Sequence, residues 1–81
     1  MKLIEVVLYT KVPCPLCDEA KRELATLAAE HPYRLIEIDI TSDPALFALY
    51  RYTIPVLHIG GQEVAAPITR DRLRAALAAA G

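Results

Sequence analysis

The sequence predicts an α/β fold of order β-α-β-α-β-β-α, a four-stranded mixed sheet covered by helices on both faces. Three observations predict it. Short runs of β-branched and aliphatic residues alternate with stretches whose apolar residues recur every three or four positions. Prolines stand near the changes of period, at Pro13, Pro15, Pro32, Pro44, Pro55 and Pro67. Gly60-Gly61 separates two strand-like runs in the manner of a two-residue hairpin turn.

Each element follows from local chemistry. Leu3 to Tyr9 (LIEVVLY) is short, aliphatic and β-branched, the pattern of a buried strand. Pro15 suits the first position of a helix, where a missing N–H costs nothing. Cys17, Ala20, Leu24, Leu27, Ala28 and His31 then form an amphipathic stripe that Pro32 ends. Asp18 and Arg22, four apart, are expected to pair across one turn. Tyr33 to Ile40 alternates as a second strand. Thr41-Ser42-Asp43-Pro44 offers capping side chains and a first-turn proline, so Ala45 to Tyr50 reads as a short helix. Thr53 to Ile59 is a third strand and Gln62 to Ala65 a fourth. Thr69 to Ala80 is the last helix, with Leu73, Ala76, Leu77 and Ala80 on one face. The first crossover makes strands one and two parallel and right-handed.

The 81 residues amount to one domain, 1–81, which buries roughly 60–65% of its unfolded surface. Nine basic against ten acidic residues leave a net charge of −1, so no counterion-releasing surface exists for nucleic acid or anionic lipid. Lys2 precedes a short apolar run, but Glu5 interrupts it, unlike a signal peptide. No run reaches the roughly 20 apolar residues of a membrane span. A cytoplasmic protein is expected, in a compartment that keeps thiols reduced.

Two cysteines three apart, Cys14 and Cys17, are the sequence's only pair. A structural zinc site needs four ligands, and His31 and His58 sit on different elements without finger spacing. A staple across so few residues constrains little unfolded-state entropy. As reagents, the two fit their positions. Cys14 precedes Pro15 and takes the N-cap, where free amides and the positive end of the helix favour a thiolate. Lys11 adds positive charge nearby, while Asp18 and Glu19 oppose it. Cys17 lies one turn inward on the apolar stripe, sheltered, and within reach of a disulfide formed on Cys14. An exposed thiolate beside a sheltered thiol is a dithiol exchange centre.

Lys11-Val12-Pro13-Cys14-Pro15-Leu16-Cys17 resembles the K-x-x-C-P-[YF]-C signature of glutaredoxins, and Thr53-Ile54-Pro55-Val56 resembles their T-V-P-x segment. With the element order, the chain resembles the glutaredoxin-like branch of the thioredoxin superfamily over essentially its whole length, in particular small bacterial glutaredoxin-like proteins. The resemblance implies a thioredoxin-like fold and thiol–disulfide exchange, with Cys14 as nucleophile and Cys17 as resolving thiol. It implies a cis Pro55 that exposes the backbone of Ile54, beside Thr53, to an extended substrate. Leu16 replaces the signature's aromatic and keeps an apolar surface by the nucleophile. The family's glycine pair aligns with Ala65-Ala66 rather than Gly60-Gly61, and its acidic helix-start position with Ile68 or Thr69. Added Cβ atoms there restrict the close approach of glutathione, although Thr69 still caps a helix whose first amides can take a carboxylate.

The expected substrates are disulfide-containing proteins or glutathione mixed disulfides. The expected reductant is a thiol or a flavoprotein. No tightly bound cofactor is expected, glutathione is a candidate co-substrate, and the chain is expected to be a monomer. A non-catalytic binding module, or a dimer bridging an iron–sulfur cluster through Cys14, is the alternative. His31, His58, Tyr50 and Tyr52 read as surface or packing residues. Arg51, Arg70, Arg72 and Arg74 read as solvated.

Overall fold

The computed structural model describes residues 3–81; Met1 and Lys2, and with them the reading placed on Lys2, lie outside the described residues. Along the chain run β1 (Ile4–Thr10), α1 (Pro15–Leu27), β2 (Tyr33–Asp39), a 3-10 turn (Ile40–Ser42), α2 (Pro44–Tyr50), β3 (Val56–Ile59), β4 (Gln62–Val64) and α3 (Arg70–Ala80). The four strands form one mixed sheet in the order β2-β1-β3-β4. β1 pairs parallel to β2 and antiparallel to β3, and β4 pairs antiparallel to β3.

Alternation in β1 divides the molecule. Val6 and Leu8 point into the main core with Leu57, Ile59 and Val64 from the hairpin, and α1 and α3 close that face with Leu24, Leu27, Leu73 and Leu77. Each leucine so buried contributes about 1.5–3 kcal/mol of transfer free energy. Thr10, buried at the end of β1, donates its hydroxyl to the Lys11 carbonyl at 3.3 Å. Tyr9 points the other way and stacks on Tyr50 of α2, with ring centroids 4.6 Å apart and His58 edge-on at 5.1 Å. Burial, and then the Glu63 carboxylate, push the Tyr50 hydroxyl's pKa up. Helices therefore reach both faces, but unequally. No residue of α2 is fully buried, and Val7, Ile36 and Ile38 on that side remain half-exposed.

The hairpin turn needs its glycines. Gly60 and Gly61 have φ of 56° and 86°, left-handed values that the two-residue turn demands. A Cβ on Gly60 would meet the Ala80 Cβ at 2.5 Å, so the turn lies directly against the last residue of α3.

Several element ends differ from the sequence reading, each for a local reason. α1 stops at Leu27 rather than at His31, where the Ala28 amide takes the Ala25 carbonyl (3.4 Å) and the Glu30 amide the Leu27 carbonyl (3.1 Å), three-residue bonds that tighten the last turn. Asp18 faces Lys21 (3.6 Å) instead of Arg22, since Lys21 is also drawn to Glu37 on β2 at 3.1 Å. The hydrogen bond and charge of Glu37, helped by Asp18, hold the Lys21 ammonium's pKa above its usual value. β2 stops at Asp39, whose carboxylate accepts from the Thr41 amide (2.8 Å) and hydroxyl (2.6 Å) and so winds Ile40–Ser42 into the 3-10 turn. Asp43 caps α2 through the Ala45 amide at 2.8 Å. Thr53 and Ile54 are still unwinding from α2, with their amides on the Tyr50 carbonyl at 2.9 and 3.2 Å, so β3 begins only at Val56. No helix of the described residues is long and apolar enough to cross a membrane.

Candidate functional site

β1 delivers the chain to a loop whose last residue, Cys14, has extended backbone (φ −152°, ψ 90°) and occupies the N-cap of α1. The residue serves the helix twice. Its carbonyl accepts from the Asp18 amide at 3.0 Å, and its sulfur accepts from the Cys17 amide at 3.1 Å. One of the helix's orphan donors is thus satisfied by sulfur rather than by the usual hydroxyl or carboxylate. Cys14 and Cys17 stand at disulfide distance, with Cα atoms 5.2 Å apart. Cys17 is 1% exposed within the helix stripe, while Cys14 remains partly open to solvent. A single turn of helix therefore presents one sulfur and hides the other.

Leu16, between them, is 60% exposed, and Val12 in the preceding loop is 89% exposed. Leu16 forms one wall of a cleft of about 340 Å³. Glu19, Ala20 and Glu23 continue that wall along α1, and Pro55 faces it together with Ala66, Pro67 and Ile68 from the loop before α3. The Ile54–Pro55 peptide bond is cis, as are Val12–Pro13 and Ala66–Pro67.

The cleft gathers two of the residues singled out in the sequence for substrate contact, Leu16 and the buried Pro55. It does not gather the other four. Ile54 is half-buried and Thr53 exposed, its hydroxyl directed to the Tyr50 carbonyl at 3.4 Å. Thr69 caps α3, accepting from the Arg72 amide at 3.2 Å. Lys11 is partly buried in the loop three residues before Cys14.

The arginines of α3 are engaged rather than merely solvated. Arg70 Nε meets Glu23 Oε2 at 2.9 Å, tying α3 to α1 at the cleft. Arg72 donates to the carbonyls of Ala65 (2.6 Å) and Pro67, bracing the loop before α3. Arg74 meets Glu30 (3.3 Å) and Asp71 (3.3 Å). Arg51 lies over the rings of Tyr52 (4.4 Å) and Phe47 (5.5 Å). Glu19, Glu23 and Pro67 carry no catalytic signature, and only the spacing of Glu19 and Glu23 by four could have placed them on one helix face. Among the described residues, no group of three or more His, Cys, Asp and Glu side chains lies close enough to hold a metal ion.

Comparison with known proteins agrees with this geometry. Residues 5–78 match the model of the glutaredoxin-like domain (DUF836). The X-ray structure of a structural-genomics target protein from X. campestris is similar at a TM-score of 0.81 and 35% identity, covering 94% of this chain and 99% of that one. The solution structure of a protein from Nitrosomonas europaea is similar at 0.78 and 26% identity, over 93% and 92% of the two chains. A glutaredoxin from Brucella melitensis superposes at 0.66 with 30% identity, over 93% of this chain and 79% of its own. A chloroplastic glutaredoxin of Oryza sativa is 47% identical over 38 residues, which are 47% of this chain and 27% of that protein's length.

Proposed function

The chain belongs to the glutaredoxin-like family, and from the sulfur pair at the head of α1 we propose that it is a thiol–disulfide oxidoreductase. The observation that carries this is the Cys17 amide directed at the Cys14 sulfur, 3.1 Å away at a helix N-terminus, with the second sulfur buried behind it. In the dithiol form that amide and the positive end of α1 stabilise negative charge on Cys14, which makes it the nucleophile. The Cys14 thiolate attacks one sulfur of a substrate disulfide, the substrate S–S bond breaks, and the leaving thiolate takes a proton. Cys17, deprotonated in turn, attacks Cys14 Sγ and releases the second substrate sulfur as a thiol. Two electrons have then moved from the dithiol to the substrate, and Cys14 and Cys17 are joined.

An external thiol such as glutathione, or a flavoprotein reductant, restores the dithiol, and a cytoplasmic setting supplies both. Pro55, which shares the cleft with Leu16, and the backbone of Ile54 before it are suited to pair with an extended substrate segment. Lys11 adds positive charge on the approach, and Thr69 marks the amides of α3 as a place for a carboxylate.

Substitution of each sulfur tests the roles. Incubated with a disulfide substrate, Cys17→Ser accumulates a covalent adduct visible by intact mass, and Cys14→Ser accumulates none. A thiol-labelling titration of the unsubstituted chain against buffers of stepped potential gives one midpoint. If both thiols label equally at every potential, or if the adduct forms on Cys17, the assignment fails.

A further inference from the structure

The cleft beside the sulfur pair has a chemical character that narrows the substrate. Its lining is apolar at Leu16, Ala20, Pro55, Ala66, Pro67 and Ile68. Its only ionisable lining groups are the carboxylates of Glu19 and Glu23, both on α1 within three turns of Cys14. Two cations of α3 beside the cleft are committed elsewhere. Arg70 is held on Glu23, and Arg72 on the carbonyls of the loop before α3. Glu19 is exposed and meets no cation among the described residues, so the lining keeps a negative charge. At about 340 Å³ the space is at the small end of the range for binding sites, roughly 300–1,000 Å³.

We propose that this cleft receives an apolar side chain of a polypeptide, next to the reacting cysteine and followed by a lysine or arginine, in preference to glutathione. The inference rests on the thiol-exchange reading and names its substrate class. Leu16 stands between the two cysteines, so the occupant of the cleft belongs to the residues flanking the substrate sulfur. An apolar side chain there displaces water from Leu16, Pro55 and Ile68. A cation one residue further answers Glu19, and the anionic glutathione molecule meets like charge at the same place.

Single-turnover oxidation of the reduced chain tests this with symmetrical peptide disulfides, in which attack on either sulfur gives the same product. Three substrates suffice: a peptide with Leu-Lys beside its cysteine, the same peptide with Leu-Glu, and glutathione disulfide. The Leu-Lys disulfide is expected to oxidise the dithiol about tenfold faster than either of the others. Glu19→Gln is expected to narrow that gap, as is about 1 M salt, where screening shortens to about 3 Å. Equal rates for the three substrates, or a gap that Glu19→Gln leaves unchanged, would overturn the cleft assignment while leaving the exchange chemistry standing. Failure of all three to oxidise the dithiol would remove both.

Discussion

Cys14 combines two roles at one backbone position: its sulfur closes the first turn of α1, and it is the sulfur that solvent reaches. Both were visible in the sequence because both are local. A cysteine followed by proline at the start of an apolar stripe determines cap, exposure and neighbour without reference to the rest of the chain. Asp39 is a second residue whose local bonds have a measurable consequence. The Thr41 hydroxyl, and then its amide, hold the Asp39 carboxyl's pKa below its usual value. With the folded value depressed, the contribution to stability is fully present above the unfolded-state value of about 3.9 and is lost as pH falls through the folded one. Asp39→Asn should therefore flatten the acid limb of stability below about pH 4. Denaturant unfolding followed across that range by circular dichroism checks it, and an unchanged slope counts against the bond.

At the level of elements, α3 is held at both ends by contacts that substitution can remove one at a time. Thr69 caps its start, so Thr69→Ala should cost about 1 kcal/mol, read as a shift of the denaturation midpoint at unchanged m-value. Gly60 abuts its end, and Gly60→Ala adds both a left-handed strain and a clash with Ala80. A loss of about 1–3 kcal/mol is expected, and a neutral result would mean that the hairpin moves freely away from the helix. The short elements were readable from their caps and turns: Asp43 with Pro44, Thr69, and the glycine pair. The strand and helix ends were less so. Asp39 and Leu27 end their elements through bonds to the residues just beyond them, and a pattern of apolar spacing does not register such bonds.

Over the whole molecule, the two faces of the sheet differ in what they bury. Leu8→Ala opens a hole in the core between the sheet and α1 and α3, and should cost about 2–5 kcal/mol. Ile36→Ala on the far face, half-exposed beneath little cover, should cost nearer to 1 kcal/mol. Urea titrations of the two variants compare them directly, and equal losses would mean that α2 packs more firmly than its exposure indicates. The fold was legible at this scale because βαβ handedness and a hairpin leave few arrangements for seven elements. The cleft was not. Glu19 and Glu23 on α1, Pro55 before β3, and Ala66, Pro67 and Ile68 before α3 come from three separate stretches, and only the assembled sheet brings them face to face. Arg70 and Arg72 were unreadable for the same reason, since a helix-face arginine reveals its partner only when the opposing element is in place.

The neighbouring sulfurs also bear on how the chain withstands harsh oxidants. A solitary surface thiol struck by peroxide advances from sulfenic acid to sulfinic and sulfonic acids that ordinary thiols cannot reverse. A sulfenic group on Cys14 would have Cys17 already beside it, placed to condense to the internal disulfide with loss of water. The chain carries no third cysteine to be damaged in its stead. Peroxide treatment of the reduced chain is accordingly expected to stop at the internal disulfide, which a thiol reverses, and intact mass showing sulfinic or sulfonic acid instead would count against this.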